Sequence, residues 1–161
     1  MLEIGVDSYV TVAEADAYSA SHYLSTDKVR LEWEKLSTED KEVILRQSCL
    51  EMDALPYVGR KVSETQTLAF PRMKYGYCMD GVDPYVAKAQ VEQALSKMDT
   101  TQAKRKKLQK EGVKSYSIGD LSETYSDAVV SGFAVASAKQ TLCEKSRNYL
   151  SDWLRGGYRV G

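Results

Sequence analysis

The stretch Asp83–Met98, DPYVAKAQVEQALSKM, carries the decision about fold class. Asp83 suits a helix N-cap, and Pro84 suits the first helical position, where a missing amide is no loss. Ala87, Val91, Ala94, Leu95 and Met98 then fall on one face at helical spacing, which predicts a helix over 84–98. Upstream, Ser37 with Glu39 and Asp40 in the following turn opens a second helix. It runs to about Leu55, where Pro56 stops it, and Val43, Gln47, Leu50 and Ala54 make its stripe, widened by Ile44, Leu45, Cys49 and Met52. Further back, Thr11 and Glu14 read as a capping box opening a helix over 12–22, with Val12, Ala15, Tyr18 or Ser19, and His22 in phase. The segment holding Trp33 is a further helix candidate.

Between the helices expected to end near Leu55 and to start at Pro84, residues 56–82 have no sustained period. Pro56, Gly59, Pro71, Gly76 and Gly81 punctuate them, so a long ordered connection is expected, carrying GRK at 59–61 and LAFPR at 68–72. Downstream, residues 99–111 either extend the third helix or form a separate polar segment. Alternation over 113–118 and 121–125 around Gly119-Asp120 predicts a β-hairpin. A last helix is expected over 137–154, with Leu142, Tyr149, Leu150 and Trp153 as its stripe and Gly156-Gly157 ending it. The expected fold is mainly α, a small bundle of about four main helices with a hairpin inserted before the last. It is read as one domain, 1–161, with an excursion over 99–126 and a tail over 156–161. Leu50, Leu68, Phe70, Val91, Leu95, Leu142 and Leu150 are the expected core.

Composition narrows the function classes. The 161 residues are 43% hydrophobic and 28% charged, ordinary globular usage. No apolar run approaches the ~18 residues of a membrane span, and the start, MLEIGVDSYV, is not expected to act as a secretory signal. Lys+Arg is 22 against Asp+Glu 23, a net charge of -1, which is not that of a protein coating nucleic acid through its global charge. Cys49, Cys78 and Cys143 stand far apart beside a single histidine, His22. Such a set does not build a tetrahedral zinc site, so no metal or cofactor is expected and reduced, mostly buried thiols are. A triad would have to use His22, and neither a G-x-S-x-G elbow nor a phosphate loop is present. No enzyme is expected.

Binding features are sharper. Lys104, Arg105, Lys106 and Lys107 lie in a span, 97–114, that also holds Lys97, Lys110 and Lys114 against only Asp99 and Glu111. This is a phosphate-facing patch or a solvated helix end; no aromatic residue lies between 86 and 115 to supply a stacking platform. The 11 tyrosines against 2 phenylalanines suit interfaces, although some stand in for core phenylalanine. Trp153, Leu154, Arg155, Tyr158, Arg159 and Val160 concentrate hot-spot residue types at a chain end containing Gly-Gly.

SYVTVAEADAYSASHY, PYVGRK, QTLAFPR and DPYVAKAQVEQAL, in that order over roughly residues 8–98, together resemble a tailed-bacteriophage family. These are the head-tail adaptor (connector, head-completion) proteins, some of whose members carry the label of a DnaT-like single-stranded-DNA-binding protein. KSYSIGDLSETYS is similar to the hairpin such adaptors place before their final helix. The resemblance implies a structural protein of the virion neck, assembled in the host cytoplasm. About a dozen copies would form a ring under the portal protein, extend the channel for packaged double-stranded DNA, and dock the next neck or tail protein. It also implies that Trp153–Val160 holds the portal and that Gly119, Asp120 and Leu121 at the hairpin tip touch a neighbouring ring or tail protein. Lys104–Lys107 would face the DNA on charge alone, the segment being more basic than the family leads one to expect. The alternative is a single-stranded-DNA-binding protein of replication.

Overall fold

The computed structural model describes residues 1–78, 81–99, 115–118, 121–124 and 142–154. Helix α1 (Val12–His22) starts where the Thr11 hydroxyl accepts from the Glu14 amide at 3.2 Å while a Glu14 carboxylate oxygen accepts from the Thr11 amide at 2.8 Å. That reciprocal cap satisfies two donors that a helix start leaves open. Helix α2 (Lys28–Glu34) follows, and α3 (Thr38–Asp53) is capped by the Ser37 hydroxyl accepting from the Asp40 amide. Helix α4 (Pro84–Ser96) is capped by Asp83, which accepts from the Tyr85 amide at 2.8 Å. Helix α5 (Glu144–Tyr149) is the last described helix. Between α3 and α4, β1 (Arg60–Lys61), β2 (Arg72–Lys74) and β3 (Tyr77–Cys78) form an antiparallel meander in that order. Strands β4 (Ser115–Ile118) and β5 (Leu121–Thr124) make a separate hairpin, with Ser115 opposite Thr124 and Ile118 opposite Leu121. The fold is the mainly helical bundle with a hairpin that the periodicity predicts.

Helix α4 is the axis of the bundle. Val86 and every residue from Ala89 to Leu95 are buried, including Gln90, Glu92 and Gln93. Buried amides and carboxylates must find partners, and each of these ties α4 to another segment. Gln90 accepts from the Tyr9 amide and donates to Ser8 Oγ and the Leu45 carbonyl, all at 2.8–2.9 Å. Gln93 donates to Glu51 on α3 and accepts from the Cys143 amide ahead of α5.

Two clusters of apolar side chains flank that axis. One is aromatic, with Tyr9, Tyr57, Phe70 and Trp153 around Met52, Val86, Leu142 and Leu150. Phe70 meets Tyr57 edge-on at 4.7 Å and Trp153 at 5.2 Å. The LAFPR segment is laid into this cluster and fastened by polar contacts. Tyr9 Oη donates a short hydrogen bond to Asp53 Oδ1, Asp53 Oδ2 accepts from the Ala69 amide at 2.9 Å, and the Phe70 amide donates to Tyr9 Oη at 3.2 Å. The other cluster gathers Trp33, Leu45, Val91 and Leu95 with Ala15 and Tyr18.

Four expectations are corrected by the structure. Leu50, expected in the core, is 70% exposed, and Val43, Gln47 and Ala54 share its outward face. The buried stripe of α3 is Leu45, Ser48, Cys49 and Met52, because α4 packs on that side. Within the stretch 56–82, expected as a long ordered connection, residues 60–78 carry a three-stranded meander; strands of two and three residues are too short to leave a period in sequence. Residues 142 and 143 are not helical: Cys143 is extended, held by Gln93, and caps α5 by accepting from the Ser146 amide at 3.4 Å. Residues 150–153 are turns, with the Trp153 and Leu154 amides both bonded back to the Leu150 carbonyl. Residues 137–141, at the start of the helix expected over 137–154, lie outside the described residues.

Cys49 and Cys143 are buried. Burial pushes the Cys49 thiol up to about 12, so it stays protonated and unreactive. Among the described residues no helix is long and apolar enough to cross a membrane, and no group of His, Cys, Asp and Glu is placed to hold a metal ion.

Candidate nucleic-acid interface

The meander concentrates positive charge. Arg60, Lys61, Arg72 and Lys74 lie on its strands, and Glu64 is the single acidic residue between 57 and 78. Gly59 permits the close approach of β1 to β2. Its φ is 75°, and a Cβ there would stand 2.2 Å from the Met73 carbonyl oxygen. The four cations then divide by role. Arg72 is a structural pin, its guanidinium donating to the carbonyls of Val58, Gly59 and Ala69 and lying over the Tyr57 ring. Lys61 donates to the carbonyls of Gln66 and Thr67 while remaining exposed, and Arg60, also exposed, donates from one nitrogen to the Met73 sulfur. Lys74 reaches the carbonyl of Asp152 and lies 5.2 Å from the Tyr75 ring centroid and 5.7 Å from that of Trp153.

Tyr75 is the unusual residue. Lys74 pairs with Tyr77 across a two-residue turn, and both turn residues have positive φ, 52° at Tyr75 and 81° at Gly76. That is a type I′ turn, in which Asn or Asp ordinarily takes the first position because a bulky side chain is strained there by about 1 kcal/mol. The Tyr75 ring gains little packing in return, being 88% exposed. A second exposed tyrosine, Tyr85, stands in the first turn of α4, carries Lys88 over its ring at 5.5 Å, and stacks on Tyr149 at 5.9 Å. The two sites are joined through Trp153, whose Nε1 donates to Asp83 at 2.8 Å while Lys74 covers its ring. The outcome is two cation–tyrosine pairs on the side of the molecule where the meander, the start of α4 and the end of α5 meet.

Beyond Tyr149 lies a cleft of about 510 Å³, lined by Tyr18, His22, Glu92, Lys145, Asn148 and Tyr149. Glu92 is buried on α4, and its oxygens accept from Tyr18 Oη at 2.8 Å and Tyr23 Oη at 2.6 Å, with Lys145 Nζ at 3.7 Å. Burial, reinforced by hydrogen bonding to Glu92, pushes the Tyr23 hydroxyl well above its ordinary range; for Tyr18 burial again leads, with Tyr149 and Glu92 adding to it. The Tyr18 ring is covered on one side by His22, stacked at 3.9 Å.

Sequence-named residues fare unevenly. Trp153, expected in a partner-docking end, is instead a core residue only 8% exposed, held by Phe70 and Asp83. Leu154 is half-buried and bridged to Tyr57. Leu121 opens β5, opposite Ile118. Gly119, Asp120, Lys104, Arg105, Lys106, Lys107, Arg155, Tyr158, Arg159 and Val160 lie outside the described residues, as do 99–126 and 156–161 for the most part. The meander pair was missed, although Lys74-Tyr75-Gly76-Tyr77 beside Arg72 and Arg60-Lys61 already interleaves aromatics with cations. The cleft left no signal, since Tyr18, Glu92 and Tyr149 stand 74 and 57 residues apart in sequence order.

A family model described as "Putative DnaT-like ssDNA binding protein" matches residues 2–160, and the chain belongs to that family. No curated protein and no solved structure matches it.

Proposed function

We propose, from membership of that family together with the cation–tyrosine meander, that the protein is a non-catalytic binder of single-stranded DNA. The observation that carries the reading is Tyr75, a bulky residue kept in a strained turn with its ring in solvent and an ammonium beside it. Backbone strain that serves no packing is a mark of functional positions. Stacking of a base on such a ring is sequence-tolerant and is worth about 1–3 kcal/mol, while neighbouring cations track the phosphates. Arg60, Lys61, Lys74 and Lys88 supply those cations and Tyr85 a second stacking surface. A local patch of this kind operates despite the net charge of -1, because at physiological salt charges are felt over only ~8 Å.

Fluorescence anisotropy with a labelled oligo(dT) over a salt series tests the reading. Engagement of about three phosphates gives a slope near -2 in log K against log salt, and Tyr75→Asn, which suits the turn, weakens binding roughly fivefold or more. Salt-insensitive binding, or full affinity in the variant, overturns it.

A second reading has its own support in the hairpin β4–β5, a two-stranded sheet of its own placed before the last helix, where the resemblance to phage head-tail adaptors expects it. On that reading the protein forms a ring beneath a portal, as part of a virion neck, and the cations face packaged double-stranded DNA. Electron microscopy of the protein mixed with its portal separates the two: rings on the portal favour the adaptor, and their absence together with oligo(dT) binding favours the first reading.

A further inference from the structure

We propose that the cleft between α1, α4 and α5 holds a single unpaired guanine base; the inference rests on the single-stranded-DNA reading and gives that strand a base-specific contact. The cleft is made by residues distant in sequence, and its 510 Å³ is ample for one nucleobase with its sugar. Its polar groups are of complementary kinds. At the floor, Glu92 is acceptor-only, and its two oxygens each take one hydroxyl, leaving further lone pairs. At the rim, Lys145 is exposed and shared among Glu92, the Tyr23 hydroxyl and the Tyr23 ring, which it covers at 4.3 Å. Asn148 lines the same side with an exposed amide.

His22 adds a stacking face. Its Nδ1 lies 3.1 Å from the Tyr18 carbonyl oxygen and 2.8 Å from Ser21 Oγ, which fixes the ring in place, and its Nε2 edge is left for a ligand. One face of the imidazole is covered by Tyr18 and the residue is otherwise exposed, so a base can extend the existing stack. Of the four bases, guanine alone presents two adjacent donors, N1–H and the N2 amine, beside an acceptor, O6. The paired donors match a carboxylate and O6 matches the ammonium. Thymine offers one donor between two carbonyls, and adenine offers no donor beside a carbonyl.

His22 is the single histidine, so its C2 proton is an isolated NMR signal that reports the cleft directly. Titrating the full chain with dGMP, dIMP, dAMP and dTMP compares bases at constant phosphate. The expected result is a saturating shift with dGMP and an affinity about tenfold weaker for dIMP, which lacks the N2 amine, and for dTMP. Lys145→Ala, at an exposed position, weakens dGMP at least threefold. Glu92→Gln removes the preference of dGMP over dIMP; if that variant does not fold, the Lys145 variant and the dIMP comparison still decide. Equal shifts with all four nucleotides, or none, overturn the proposal. Oligo(dT) binding with a His22 signal silent to dGMP ends the guanine site and leaves the strand-binding reading standing. A dGMP-selective shift without oligo(dT) binding does the reverse.

Discussion

Tyrosine does two different jobs on the two sides of α4. Beneath the meander, Tyr9 and Tyr57 are apolar bulk, their rings packed edge-on against Phe70 and their hydroxyls tied off on Asp53 and on the Met52 carbonyl. Between α1, α4 and α5, Tyr18 and Tyr23 are hydroxyl donors first, converging on the Glu92 carboxylate with Tyr149 joined through Tyr18. The first region excludes water by shape and the second satisfies a buried charge. A tyrosine-rich composition is therefore explained neither by core packing alone nor by interfaces alone.

The aromatic side should be the more sensitive to truncation. Phe70→Ala removes the ring that touches Tyr9, Tyr57 and Trp153, and a loss of ~3–5 kcal/mol in urea denaturation is expected, as for buried aromatics generally. A loss below about 1 kcal/mol would mean the cluster collapses around the gap and is not a fitted core. On the polar side, Glu92→Gln puts an amide where two hydroxyls donate, and about 1–3 kcal/mol is expected.

Alkaline titration sharpens the same contrast. Burial holds the hydroxyls of Tyr9, Tyr18, Tyr23 and Tyr57 above their ordinary value of 10.0. Below pH 10 both folded and unfolded chains keep these protons, so the full stability is present. Above it the unfolded chain loses protons that the folded chain retains, so stability falls as pH rises. Removing the Glu92 charge relaxes the upward pressure on Tyr18 and Tyr23 but not on Tyr9 and Tyr57. The total alkaline loss of stability should thus be smaller in Glu92→Gln, and an unchanged loss would mean that burial alone keeps the Tyr18 and Tyr23 hydroxyls protonated.

Smaller effects are expected outside both regions. Tyr75→Asn should stabilise the protein by up to about 1 kcal/mol, since Asn suits positive φ and the exposed ring gives up no packing. A destabilisation would show that the ring is held by contacts. Leu50→Ala should stay within about 0.5 kcal/mol, against ~2–5 kcal/mol for Leu95→Ala, because Leu50 faces solvent and Leu95 is fully buried.

The starts of α1, α3 and α4 were legible in sequence because their causes are local. The Thr11–Glu14 box, the Ser37 and Asp83 caps and Pro56 act within a few residues, and each helix start is found where these residues put it. The β4–β5 register follows likewise from alternation around Gly119-Asp120. Which face of a helix turns inward is another matter. On α3, Val43 and Leu50 make as good an apolar stripe as Leu45, Cys49 and Met52, and only the approach of α4 chooses between them. The burial of Gln90, Glu92 and Gln93 is also invisible locally, since a polar side chain is tolerated inside only when partners arrive from Tyr9, Tyr18, Tyr23, Glu51 and Cys143. Short-range chemistry thus determined where elements begin and end, through hydrogen bonds the chain makes with itself within a turn. Long-range packing decided what those elements bury and which cations and tyrosines meet, because desolvation depends on neighbours that only the folded chain brings together.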